Sequence, residues 1–289
     1  MIIQQFNEDF PDNATCLKWL FVKRFGTPVC PKCKAVDKYH RQGKSSHFVC
    51  ACGQHQLSPK KETIFEKSDT DLYKWFYALF LFSNSKNGVS AKELQRQLGC
   101  TYKCAWRIGT QIRRLFDEYN IPLSNTVEID ETYWGGVSKG LRAKEYKDRG
   151  TRYKRSSKKT VFGMVERGGR VKAKVVINAR RKTVMSLIRK NVEIGTEVMS
   201  DKYQVYRVLA EQGYPHQTVN HKREEWVREK VHTNTIEGFW SQLKRSLNGT
   251  YHMVSPKYLQ KYVDQFSWMY NHRFGLVFDA LMAKAGQPV

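Results

Sequence analysis

No apolar run in these 289 residues approaches the roughly 20 needed to cross a bilayer, which argues against a membrane-spanning chain. The N-terminus, MIIQQFNEDF, lacks a basic stretch followed by a long apolar one, so no secretory signal is expected. Acidic residues are scarce. Asp and Glu number 27 against 50 Lys and Arg, leaving a formal charge of +23. Such an excess is costly to a compact state unless a polyanion is the working partner; nucleic acid is the leading candidate and an anionic membrane the weaker one. Cysteine is present in an odd number, seven, without an export signal. That count speaks against a disulfide framework and for thiols or metal ligands in a reducing compartment. The expected location is the cytoplasm, on the nucleoid if DNA is the partner. No internal repeat is present.

What the chain does contain is enough to fold. Hydrophobic residues make up 40% and aromatics 13%, which distinguishes it from a disordered polyelectrolyte. Its length allows one domain of ordinary size plus one or two small modules. Four regions and a tail are expected. Residues 1–27 form a helical lead in which Asp12 or Asn13 caps a helix ending near Gly26. Residues 28–60 are rich in cysteine and turns. Residues 61–123 are helical in pattern, from DLYKWFYALFLF to CAWRIGTQIRRLFDEY. From 124 to 275 strands alternate with helices. TVEIDETYW, KTVFGMVE and VKAKVVINA read as strands, with ERGGR a hairpin turn between the last two. RKTVMSLIRKN follows as a helix, TEVMS as a strand, DKYQVYRVLAEQ as a helix and HQTVNH as a short strand. Residues 276–289 are read as a tail.

Cys30-Pro-Lys-Cys33 and Cys50-Ala-Cys52-Gly53 are separated by sixteen residues. Two close pairs at this separation suit a zinc ribbon, in which four thiolates close one tetrahedral structural Zn²⁺ site. The second pair is one residue tighter than CxxC, and His47 and His55 lie near enough to replace one thiolate. Residues 89–115 fit two short helices around Gly99, capped by Ser90 and Thr101, as a helix-turn-helix. Tyr102, Lys103, Arg107 and Gln111 are the exposed positions expected to meet a major groove, with an ordinary helical hairpin as the alternative. The segment 139–159 holds ten Lys or Arg and two acids. It reads either as a solvated loop or as an arm on a phosphate backbone, with Lys154, Arg155, Lys158 and Lys159 among its cations.

The stretch HTNTIEGFWSQLKR (232–245) has Ile236, Phe239, Trp240, Leu243 and then Leu247 at the spacing of an amphipathic helix. Asn234, Glu237, Ser241 and Lys244 form a polar row beside that stripe. Such a row is either a solvated edge or the lip of a cleft. Asp130 ends the strand TVEID and Asp201 follows TEVMS, so the two acids converge at one sheet edge, which a later helix carrying Glu237 can cross. The order of strands and helices is that of a ribonuclease-H-like α/β fold, a mixed sheet with flanking helices. Three carboxylates there hold two Mg²⁺ ions (or Mn²⁺), which act on a phosphodiester. Simpler roles stay open: Asp201 could cap a helix, Asp130 could close a turn, and Glu128 or Glu131 could be mistaken for it.

These stretches together resemble the zinc-ribbon DDE transposases of bacterial insertion sequences, the ISXO-like group. The likeness runs from CPKC and CACG through TIFEKS, SAKELQRQLG, EIDETYWGG, SDKYQVY and VNH to HTNTIEGFWSQLKR. It implies Asp130, Asp201 and Glu237 as metal ligands and Lys244 as the trailing lysine, with Asn234 orienting these groups or touching DNA. It further implies Mg²⁺-dependent strand cleavage and strand transfer on the terminal inverted repeats and target DNA, by a dimer or higher oligomer. A DNA-binding regulator that has lost cleavage, and a nuclease without strand transfer, are the competing readings.

Overall fold

The computed structural model describes residues 1–116, 120–135, 158–201, 203–219 and 230–289. It divides into two units, Met1–Phe116 with His272–Val289, and Asp117–Asn271.

In the first unit, α1 (Ile3–Asp9) and α2 (Asn13–Phe25) precede a small antiparallel sheet. The Asp12 carboxylate starts α2 by accepting the Thr15 N–H at 2.7 Å. Strands β1 (Tyr39–Arg41), β2 (Phe48–Cys50) and β3 (Gln56–Leu57) pair in that order. Phe48 stacks on Phe21 with ring centroids 4.0 Å apart, tying the little sheet to α2. Helix α3 (Leu72–Asn84) is apolar on most of its surface and is accordingly buried along most of its length. Helices α4 (Ala91–Leu98) and α5 (Tyr102–Ile112) are joined by Gly99, whose left-handed φ of 56° suits glycine. The hydroxyls of Ser90 and Thr101 cap the two helices by accepting from Glu93 and Cys104.

Phe6 lies fully buried at the centre of this unit, with Phe10, Tyr73, Tyr77, Phe80 and Phe278 around it. Phe278 belongs to the segment expected to be a tail. It forms instead a helix between Val277 and Ala285, with Phe278, Leu281, Met282 and Ala285 buried. Burying those four side chains stabilises the segment far more than a solvated tail could be.

The second unit is a five-stranded mixed sheet. In chain order its strands are β4 (Thr126–Trp134), β5 (Lys159–Glu166), β6 (Val171–Val176), β7 (Glu197–Asp201) and β8 (His216–Val219). The spatial order is β6-β5-β4-β7-β8, antiparallel across β6, β5 and β4 and parallel from β4 to β7 and β8. Helix α6 (Arg181–Asn191) covers one face, with Val184, Met185 and Ile188 against Ile129, Phe162 and Met164. Helices α7 (Asn234–Gly249) and α8 (Leu259–Asn271) cover the other, placing Ile236, Phe239, Trp240, Leu243, Val263 and Phe266 against Val161 and Val165. A strand sandwiched between two helical layers must be apolar on both sides, which is why KTVFGMVE reads as a continuous run. Strand β6 is an edge, and α8 blunts it: Gln260 and Asn271 accept the outward N–H groups of Val175 and Val171, each at 2.7 Å.

One expected helix differs. The segment 203–212 forms two short 3₁₀ turns, Gln204–Val208 and Ala210–Gln212. Tyr206 and Leu209 are both fully buried, and residues three apart align in a three-residue turn but not in an α-helix.

Candidate active site and metal centre

Period-two alternation sorts the acids of β4 between its faces. Glu128 and Asp130 point toward α7, while Glu131 points toward α6, where its carboxylate accepts the Tyr206 hydroxyl at 2.6 Å. Strand β7 runs parallel beside β4 with Ile129 opposite Ser200. Asp130 does not end its strand as expected: pairing with β5 carries β4 on to Trp134, so Asp130 stands mid-strand. It is still the neighbour of Asp201, the last residue of β7, on the same face, with the first turns of α7 across from them. Trp240 of α7 donates its ring N–H to Asp130 Oδ2 at 3.0 Å.

Burial, and then the charges of Glu131 and Asp201, raise the Asp130 carboxyl from its ordinary 3.8 to about 7. Burial raises Glu131 as well, with Asp201 adding to it and Tyr206 opposing. Like charges brought close together with partial burial are what a hard divalent cation relieves, so Asp130 and Asp201 form a donor set that suits Mg²⁺. Among the described residues, only the four cysteines bring three or more ligating atoms within 4.8 Å of one another. Asp130, Asp201 and Glu237 do not close to that distance. A two-ion site spreads its carboxylates over ions about 3.5–4 Å apart, which accommodates a wider set.

The polar row of α7 is exposed along its whole length, at Asn234, Glu237, Ser241 and Lys244, while the stripe beside it is buried. Glu237 accepts the Thr233 hydroxyl at 3.0 Å. Lys244 lies two turns on, about 10 Å along the axis, too far for a direct ion pair with Glu237.

Three participants escaped the sequence reading. Trp240 was read only as part of the apolar stripe. Gly163 sits opposite Asp130 on β5, and a Cβ there would meet the Trp240 ring at 2.5 Å. Glu128 is fully buried and bonded to the start of α7. A glycine inside an apolar strand was the one available signal, since it marks a close approach of another group. Gly163→Ala is expected to push Trp240 off the sheet and cost about 1–3 kcal/mol by overpacking. Urea denaturation checks this, and an unchanged midpoint would remove Trp240 as the Asp130 partner.

The cysteine set forms a second centre, in the first unit. The Sγ pairs Cys30–Cys52 and Cys33–Cys50 stand 3.8 and 3.6 Å apart. Tetrahedral zinc with bonds of about 2.3 Å requires sulfur separations near 3.8 Å, so the donor set fits one zinc ion. The two turns explain how a CxC pair matches a CxxC pair. The first closes from Lys34 N–H to Cys30 C=O, the second one residue sooner, from Gly53 N–H to Cys50 C=O. The Cys33 backbone N–H helps hold the Cys30 thiol down at about 6, while against the pull of the Cys52 backbone N–H, desolvation and then the neighbouring sulfurs push Cys50 up to about 12. The Cys30 thiolate is favoured, while Cys33 and Cys50 resist ionising beside it unless a cation sits between them. Neither histidine belongs to the set; His55 Nδ1 lies 2.7 Å from the Tyr39 hydroxyl.

On α5, Tyr102, Lys103 and Trp106 are exposed. Arg107 and Gln111 are half-buried, Arg107 because it packs toward α3. Arg107 lies over the Trp75 ring, 6.0 Å from its centroid, and Gln111 accepts from Arg114. Lys158 is exposed and Lys159 begins β5. Lys154 and Arg155 lie outside the described residues. Among the described residues no helix is long and apolar enough to cross a membrane.

Comparison with known families gives this site its setting. Residues 122–271, which span the five-stranded sheet with α6, α7 and α8, match the ISXO2-like transposase domain. The match covers more than half of the chain, and the chain belongs to that family. A protein of Halobacterium salinarum, described as an uncharacterized protein in transposable element ISH50, is 27% identical over 252 residues, 82% of this chain and 83% of its own length. An uncharacterized transposase-like protein of Haemophilus influenzae is 26% identical over 98 residues, 34% of this chain and 78% of its own.

Proposed function

We propose that this protein is an insertion-sequence transposase that binds the ends of its element, cleaves DNA strands and joins the freed 3′-hydroxyl to target DNA. The observation that carries the reading is the placement of Asp130, in the middle of β4, beside Asp201, at the end of the adjacent parallel strand β7, facing a helix with Glu237 on its first turn. The strand order, three antiparallel and then two parallel, supports a ribonuclease-H-like assignment.

Asp130, Asp201 and Glu237 would hold two Mg²⁺ ions, which supply an activated hydroxyl nucleophile and stabilisation of the leaving oxygen when bound. Trp240 fixes one oxygen of Asp130 and so orients the carboxylate. The buried stripe of α7 keeps Glu237 and Lys244 on a rigid element, as positioning chemistry requires. Lys244 places a compact cation where substrate phosphate passes. DNA contacts come from Tyr102 and Lys103 at the start of α5, from Lys158 and Lys159 beside the basic segment, and from Asn234. On this reading α4 and α5 act as a helix-turn-helix. Holding two element ends at once requires a dimer or a larger assembly.

The test is single-turnover cleavage of pre-bound end DNA with and without Mg²⁺, with affinity measured separately at fixed salt. End binding without Mg²⁺-dependent cleavage would replace the enzyme by a DNA-binding regulator. In the same assay Lys244→Ala slows cleavage strongly while leaving Mg²⁺ dependence in place. Lys244→Arg recovers part of the rate, because guanidinium keeps the charge in a planar fork. Were Lys244 only a surface charge, either change would shift the energetics by about 0–1 kcal/mol.

A further inference from the structure

Glu128 is the one carboxylate of β4 that has no exposure at all. A buried charge survives only if its oxygens are fully bonded, and these are. Oε2 accepts the backbone N–H groups of Thr235 and Ile236 at 2.8 and 3.1 Å. Oε1 accepts the Thr235 hydroxyl at 2.9 Å and the Arg167 Nε–H at 2.7 Å, with His232 Nδ1 3.2 Å away. Thr235 and Ile236 lie in the first turn of α7, where N–H groups have no partner within the helix. Thr233, at the N-cap, makes no side-chain cap of its own and turns its hydroxyl to Glu237. The cap that α7 needs therefore comes from a strand more than a hundred residues earlier.

Arg167 completes the arrangement. It stands in the hairpin turn after β5, and its planar fork donates in three directions: to Glu128, to the Lys230 carbonyl at 2.8 Å and to the His232 carbonyl at 2.9 Å. It thus ties the chain entering α7 to the carboxylate that caps α7. Two residues beyond Glu128, on the same face of the same strand, stands Asp130.

We infer that Glu128 and Arg167 are positioning residues that set the placement of Glu237 relative to Asp130, by clamping the start of α7 directly to β4. The inference rests on the functional reading above for its catalytic consequence, but the clamp itself does not. Glu128 is not available to a metal, since both its oxygens are already bonded. Its role is to let one strand carry both a ligand and the anchor of the helix that brings another. At its first turn helix α7 would otherwise depend on its apolar stripe, which resists lifting off the sheet better than sliding along it, and on the Trp240–Asp130 bond one turn further on.

Two substitutions test this. Glu128→Gln keeps the shape, but in either orientation its amide NH₂ confronts N–H or O–H donors, at Thr235 and Ile236 or at Arg167 and Thr235. Arg167→Lys keeps the charge and loses the three-way fork, and serves if the first variant folds poorly. Amide hydrogen exchange of the full chain is expected to quicken about tenfold or more at Thr235 and Ile236 in both variants, with α5 unchanged. In single-turnover cleavage the rate falls roughly 10- to 100-fold, as small displacements of catalytic groups do. The Mg²⁺ concentration for half-maximal cleavage rises several-fold, and binding to end DNA stays within about twofold. A residue that merely supports the fold would leave the Mg²⁺ midpoint where it was. Unchanged exchange at Thr235 and Ile236 overturns the clamp. Faster exchange with an unmoved Mg²⁺ midpoint overturns the positioning role. If the wild type shows no Mg²⁺-dependent cleavage, the functional reading fails while the exchange result still decides the clamp.

Discussion

Asp130→Asn and Asp201→Asn each abolish strand cleavage and strand transfer, while affinity for end DNA stays within a few-fold of wild type. An amide keeps the shape of the carboxylate and, at position 130, can still accept the Trp240 N–H. What it loses is the charge that binds a hard cation. Metal assistance is worth several kcal/mol of transition-state stabilisation, and at about 1.4 kcal/mol per decade that amounts to roughly a thousandfold in rate or more. Full strand transfer by either variant would sink the site assignment.

Asp130→Asn has an opposite effect on stability, and its sign follows from the raised carboxyl. Below the ordinary value of 3.8 the group is protonated in both folded and unfolded chains and contributes nothing. As pH rises toward 7 the unfolded chain ionises more readily than the folded one, so folding is progressively penalised. Above about 7 the penalty is complete. The metal-free variant should therefore be more stable than wild type at pH 8, by up to a few kcal/mol at about 1.4 kcal/mol per pKa unit. The difference should shrink as pH falls toward 4. Mg²⁺ should raise the thermal midpoint of the wild type at pH 8 and do much less for the variant. Equal midpoints of the two metal-free proteins at pH 8 would show that Asp130 carries no such burden.

The second large effect belongs to the cysteine centre. Cys30→Ser and Cys50→Ser should each lose about one zinc per chain and unfold the ribbon, because metal binding supplies most of the folding free energy of so small a module. In zinc-finger peptides that contribution is roughly 10–16 kcal/mol. The three strands between Tyr39 and Leu57 bury little beyond Phe48 and the cysteines, so nothing else is available to hold them. Loss of the Phe48–Phe21 stack exposes part of α2, and limited proteolysis should cut first within 28–60. The helices of the first unit, built around Phe6, should remain protected, and recognition of the element ends should weaken. Metal analysis of the wild type that finds no zinc would end this prediction.

Several features were determined by local sequence alone, because the physics behind them is local. The helix from Arg181 to Asn191 and the apolar stripe of α7 follow from spacing and from which residues can face a core. The caps at Asp12, Ser90 and Thr101 follow from side chains that bond N–H groups three residues on. The cysteine pairs were legible because each closes its own short turn. The adjacency of β4 and β7 is not local, yet the order of the elements pointed to it; the continuation of β4 to Trp134, which leaves Asp130 mid-strand, was not legible.

Tertiary structure alone decided which partner each carboxylate meets. Glu128, Asp130 and Glu131 are nearly indistinguishable as a string. Their environments are separated by a bond to Ile236 that spans 108 residues, one to Trp240 that spans 110, and one to Tyr206 that spans 75. The same holds for Gly163, whose bare Cα is needed only because a distant indole lies on it, and for Phe278, which returns from the C-terminal segment to pack beside Phe6. It holds too for Arg107 and Gln111, half-buried on a flank whose exposed side offers Tyr102, Lys103 and Trp106. Periodicity records which side of an element is apolar. It carries no information about which polar group on a far segment will meet a given acid, because that contact forms only after the sheet and its helices have already been brought together.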